Sequence, residues 1–176
     1  MYKRQVYDRE EERNKENASD IDRDVVLDIL DDIEEDTNAK VLVSAPNTRI
    51  LWSMLAQTDI ITELKSRDYD IMHITSKHGA YINRQKVRRD KFFDTLSQWG
   101  EDDDKKFILF HYSILSEGIN VRGLTHSVLL RNLPVIEMAQ TIGRVIRLHK
   151  YDYQDIQDNK ISAGDTKSYR CLLYTS

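Results

Sequence analysis

A chain of 176 residues, 40% hydrophobic and 32% charged, is expected to fold around one core as a single globular domain with tails. Its apolar runs are a handful of residues, well short of the roughly 20 that cross a bilayer, and no secretory-type apolar segment opens it, so no membrane partner is expected. The single cysteine, Cys171, excludes a disulfide framework and a cysteine metal cluster and suits a reducing, cytoplasmic setting, and the net charge of −4 divides into −8 over residues 1–37, +5 over 38–150 and −1 over 151–176, an acidic lead-in before a mildly basic body.

In chain order, residues 1–19 carry charge without an apolar period and read as a flexible acidic lead-in. Ile21, Val25, Val26, Ile29, Leu30 and Ile33 then recur at helical spacing, which predicts an amphipathic helix ending near Asp36. Val41–Val43 is a short β-branched run closed by the turn residues Pro46 and Asn47. Ile50, Leu51, Met54, Leu55, Ile61 and Leu64 return to helical spacing. Asp70–Thr75 reads as a second strand, and Asn83–Trp99 as a helix burying Val87, Phe92 or Phe93, Leu96 and Trp99. Lys106–His111 and His126–Arg131 are the third and fourth strands, followed by a helix opened by Pro134. Residues 151–176 show no period and read as an irregular tail.

Strands that are apolar throughout, rather than alternating, are covered on both faces, and their alternation with helices predicts parallel βαβ units. The expected body, residues 20–150, is an α/β domain of three layers with a central, mostly parallel sheet. Working residues in such sheets lie past the carboxyl ends of strands, here 44–49, 75–79, 111–121 and 131 onward.

The last predicted helix contains "QTIGRVIRLHK". Its apolar stripe leaves Gln140, Arg144 and Arg147 one turn apart on another face. A solvated face is the ordinary explanation of such a row. Gly143 argues against it, because glycine inside a helix costs about 1 kcal/mol against alanine and is tolerated where something approaches the backbone. Guanidinium forks suit phosphate, so the row reads as phosphate-facing.

"QTIGRVIR" resembles motif VI, Q-x-x-G-R-x-x-R, of superfamily 2 helicases and translocases. "ILFHYSILSEGINV" resembles motif V and "KVLVSAPNTR" the strand and loop of motif IV, in the family's order over residues 20–150. The resemblance implies a RecA-like domain, the C-terminal half of a motor whose N-terminal RecA-like domain holds ATP and Mg. It implies Arg147 as arginine finger, Arg144 as a second γ-phosphate contact, and Gln140 as an orienting group. Gly143 keeps the approach open, Gly118 makes the tight turn of motif V, and Asn120 stands where the family has an aspartate near the nucleotide. Tyr112 replaces the usual phosphate-binding threonine, which shifts that contact to Ser113 or a backbone N–H. Ser44, Asn47, Thr48 and Arg49, past a strand end and before a helix, are expected to meet a DNA or RNA strand, as is Thr75 at the next strand end. Turn and N-cap duty is the equal alternative for Asn47 or Thr48.

No G-x-x-x-x-G-K-[ST] phosphate loop and no D-E-x-[DH] carboxylate pair occurs, so a motor built on this chain needs another half, and the chain is not expected to hydrolyse ATP alone. No metal site is read from the histidines, and a nucleoid-associated location would suit the family. Lys86, Arg88, Arg89 and Lys91 form a basic patch that either grips a backbone or is simply solvated. Trp52 and Trp99 read as core. The end, "YRCLLYTS", resembles adapter read-through and is set aside. A non-catalytic nucleic-acid or protein interaction module is the alternative that the Asn120 and Tyr112 departures allow.

Overall fold

The computed structural model describes residues 18–34, 38–112, 123–130 and 172–175. Residues 18–32 form helix α1. Strand β1 (Lys40–Ser44) leads into α2 (Thr48–Gln57) and α3 (Ile60–Ser66), then β2 (Asp70–Thr75), β3 (Gly79–Ile82), β4 (Gln85–Val87), α4 (Arg89–Glu101), β5 (Phe107–His111), β6 (His126–Leu129) and β7 (Leu172–Thr175). One sheet joins them in the order β4-β3-β2-β5-β1-β6-β7. Pairings among β2, β5, β1, β6 and β7 are parallel, and β3 and β4 add an antiparallel edge.

Side-chain alternation sorts the core into two layers. Val41, Val43, Ile71, Ile108 and Phe110 face the cluster built with α1, α2 and α3. Leu42, Met72, Phe107 and Leu109 face the opposite cluster, completed by Phe92 and Leu96 of α4. Every residue of β1 and of β5 is buried, as strands sandwiched between helical layers require. The expected three-layer α/β architecture with a central, mostly parallel sheet is the one observed.

Three segments differ from the sequence expectation. The helical stretch 50–64 is two helices, because the Thr58 hydroxyl donates to the Met54 carbonyl at the end of α2 and accepts from the Ile60 N–H at the start of α3. The predicted helix over 83–99 begins only at Arg89; its first third is the turn and second strand of a β-hairpin. Asn83 and Arg84 both have positive φ, 48° and 69°, the geometry of a tight two-residue hairpin turn. Asn83 fixes that turn against β2, accepting from the Ile71 N–H at 2.9 Å and donating to Asp70 at 3.0 Å. The basic residues 86–91 therefore lie on a strand, a helix cap and a helix, not on one helical face. Finally, Leu172–Thr175, within the tail read as irregular, runs parallel to β6 as an edge strand.

Gly123, just before β6, has φ +84°, and a Cβ there would lie 1.9 Å from the Gly100 carbonyl oxygen at the end of α4. Gly79 has nearly the same φ, +85°, but its Cβ would meet only the flexible end of Lys86 at 3.3 Å. Gly79→Ala is therefore expected to cost only the left-handed backbone penalty, about 1–2 kcal/mol. Gly123→Ala adds a backbone clash and should cost on the order of 3–5 kcal/mol in urea unfolding. Equal losses would show that the α4–β6 approach yields freely.

Candidate functional site

Because β1, β2 and β5 are parallel, Ser44, Thr75 and His111 end at one edge of the sheet, and the chain leaving each strand passes over that edge. A groove of about 710 Å³ lies there. Its first wall is the start of α2, with Asn47, Thr48, Arg49 and Trp52; Lys77 and His78, after β2, and Tyr112, after β5, also line it.

Asn47 is in extended conformation and its side-chain oxygen accepts from the Ile50 N–H at 2.8 Å, so it serves as the N-cap of α2. That leaves Thr48 and Arg49 at the groove, and the first turn of α2 holds no acidic residue. Among the described residues, no carboxylate lines the groove. The wall thus offers two cations, a helix start and several neutral donors, an arrangement suited to a polyanion.

Ser44 and Thr75 support this surface from behind. Ser44 is 1% exposed and its Oγ shares a 2.7 Å hydrogen bond with His111 Nε2. Thr75 is buried, and its Oγ1 accepts from the His78 N–H at 2.9 Å, holding the turn that presents Lys77 and His78. The structure therefore brings Asn47, Thr48 and Arg49 together at the groove and puts Ser44 and Thr75 beneath it. Gly118, Asn120, Ser113, Gln140, Gly143, Arg144 and Arg147 lie outside the described residues. Among the described residues, no group of three or more His, Cys, Asp or Glu is placed to hold a metal ion.

An aromatic cluster beside the groove is not evident in the sequence. Trp52, expected in the core, is half-buried on the flank of α2 and stacks on His78, with centroids 4.0 Å apart and planes at 19°. His73 and Tyr81, cross-strand partners in β2 and β3, stack at 4.7 Å and 12°. Trp52 meets His73 edge-on at 6.0 Å and Tyr81 at 5.8 Å. A smaller cavity of about 110 Å³ is bounded by Trp52, Ile61, His73, Tyr81 and Arg84. The available signal was position: Trp52 sits one residue past Leu51, off the stripe made by Leu51, Met54 and Leu55.

No protein-family model and no curated protein sequence matches the chain. Among solved structures, the C-terminal part of the Fun30 ATPase domain superposes with a TM-score of 0.51 at 19% identity, over 86% of this chain and 39% of that one. The fold is similar to that of the C-terminal part of the Fun30 ATPase domain. Domain 2 of the DEAD-box helicase Mss116p, solved with an RNA duplex, gives 0.47 at 15% identity over 89% of this chain and 60% of that one. The Hef helicase domain of Pyrococcus furiosus gives 0.43 at 15% identity over 93% and 28%. The chain thus spans about two fifths of the Fun30 chain that it resembles.

Two buried titratable groups of the helicase-like domain act in opposite senses. Burial, then the charges of Arg84 and His78, hold His73 down at about 4. The unfolded chain, with an ordinary histidine near 6.5, binds more protons below that value, so the His73 contribution is complete above pH 6.5 and is lost as pH falls toward 4, on the order of 3 kcal/mol. Burial raises the Asp22 carboxyl to about 6, so its folded form gains on the unfolded chain as pH falls from 6 toward 4. Asp22→Asn is therefore expected to raise stability at pH 7 and to enlarge the loss between pH 7 and pH 5, measured by urea unfolding. The same loss in variant and parent would remove Asp22 from this balance.

Proposed function

We propose that the chain is the second motor domain of an ATP-dependent superfamily 2 nucleic-acid helicase or translocase. The observation that carries this reading is the groove at the carboxyl edge, where Thr48 and Arg49 of the motif IV-like segment stand with Lys77 and, among the described residues, no carboxylate. The motif order along the sequence and the motor-domain fold support it.

In this reading the groove holds the phosphates of a DNA or RNA strand. Arg49 and Lys77 supply charge, Thr48 a hydroxyl, and the start of α2 the backbone N–H groups that the Asn47 side chain leaves over. Asn47 acts on the strand through the helix it caps. ATP and magnesium belong mainly to an N-terminal RecA-like domain carrying the phosphate loop. Arg147 would serve as the arginine finger and Arg144 as a second γ-phosphate contact, with Gln140 orienting nearby polar groups, and Gly118 and Asn120 would couple the two ligand regions. Charge spreading over the equatorial oxygens during phosphoryl transfer is what such guanidinium groups stabilise. A finger that acts only while the cleft is closed links hydrolysis to relative movement of the two domains along the strand.

Two measurements test this. By fluorescence anisotropy, Arg49→Ala and Lys77→Ala should each weaken single-strand binding similarly for every sequence and lower the salt slope by about 1; an unchanged affinity and slope would remove the groove from the strand path. In the protein that contains both motor halves, Arg147→Ala should lower ATP turnover by about 10³ to 10⁵ while nucleotide binding persists. Unaltered turnover would end the finger assignment and favour the non-catalytic interaction module.

A further inference from the structure

Phosphate contacts alone do not account for the rings beside the groove. Trp52 and His78 form part of the wall of the larger groove, and Trp52 also borders the smaller cavity with Tyr81 and Arg84. Both rings are half-buried although each is large and flat, and α2 already has Leu51, Met54 and Leu55 for its core face. Their positions are fixed from three elements. Thr75 Oγ1 holds the turn carrying His78, the β2–β3 register puts Tyr81 against His73, and the edge of His73 meets Trp52. Rings held this way lose little freedom when a further flat group joins the stack.

The charge around them is positive. Arg49 and Lys77 flank the Trp52–His78 pair, Arg84 lies on its other side, and none of these three forms an ion pair among the described residues. Aromatic rings next to unneutralised cations match the two parts of an unpaired nucleotide, a π-faced base and a phosphate. A paired base has its faces occupied by its neighbours in the duplex, which argues for single-stranded nucleic acid.

We propose that Trp52 and His78 form a stacking platform for an unpaired nucleobase of single-stranded nucleic acid, whose backbone is held by Arg49 and Lys77. This rests on the nucleic-acid reading above and adds that the domain grips bases as well as phosphates. The β3–β4 hairpin builds the platform, because its first strand supplies Tyr81 and the turn before it supplies His78.

The test uses the whole chain with three fluorescein-labelled strands of about 20 units: oligothymidylate, oligouridylate, and an abasic deoxyribose-phosphate strand with the same charge and no bases. The parent protein should bind one or both base-bearing strands about tenfold or more tightly than the abasic one. Trp52→Ala should abolish that preference by weakening binding of the base-bearing strands, whereas Trp52→Phe should retain most of it. His78→Ala, at a partly exposed turn, gives a second variant should Trp52→Ala fail to fold, and should reduce the preference several-fold. In a Trp99→Phe background, where Trp52 is the remaining tryptophan, its fluorescence should be quenched by the base-bearing strand and not by the abasic one.

Equal affinity of the parent for all three strands would overturn the platform while leaving the phosphate-binding groove intact. A preference that survives both Trp52→Ala and His78→Ala would place stacking elsewhere and also overturn it. Failure to bind any strand would overturn both the platform and the nucleic-acid reading on which it stands.

Discussion

Strand β1 has a hydrogen-bonded neighbour on each side, β5 and β6, both parallel to it, and a helical layer over each face. A strand so enclosed has no water to satisfy its backbone, so its register is fixed by its neighbours throughout. Thr125 secures the start of that register. Its N–H donates to the Lys40 carbonyl at 2.9 Å, and its hydroxyl accepts from the Lys40 N–H at 2.8 Å. Because parallel strands cannot be joined by tight turns, the chain must cross a face of the sheet between them, and successive strands end at the same edge. The groove follows from this: Ser44, Thr75 and His111 share an edge because β1, β2 and β5 share a direction.

Much of this framework is legible in the sequence because it is locally encoded. β1 and β5 are largely apolar runs, and α1 shows a clean stripe from Val26 to Leu30 against aspartates. The strand–turn–helix at Val41–Leu51 is likewise local, and it led to Asn47, Thr48 and Arg49. The hairpin was hidden because its turn places an arginine, Arg84, at positive φ, where glycine is the usual signal, and Val87 happens to stand at helical spacing from the residues of α4. The roles of Ser44 and Thr75 were hidden for different reasons. The Ser44 partner, His111, is 67 residues away, and Thr75 looks the same in sequence whether it faces a ligand or caps a turn. The aromatic cluster draws on α2, β2, the turn after it and β3, so no window of the sequence contains it.

The hydroxyls beneath the groove bear on how its surface is kept in place. Removing one partner of a buried hydrogen bond costs about 1–3 kcal/mol, more than the bond's net worth, because the other group is left without water. The Ser44–His111 bond is therefore difficult to break while both groups remain buried, and it joins the last residue of β1 to the last residue of β5. Those are the points from which the chain leaves the sheet toward Asn47 and Tyr112. A displacement of one segment at its root must drag the other or leave a polar group orphaned, so the two strand ends move as a unit. Arg49 and Lys77, both exposed, carry no such buried constraint. In the reading proposed above, a buried pair beneath exposed cations would let the domain hold a backbone in register without reading its sequence.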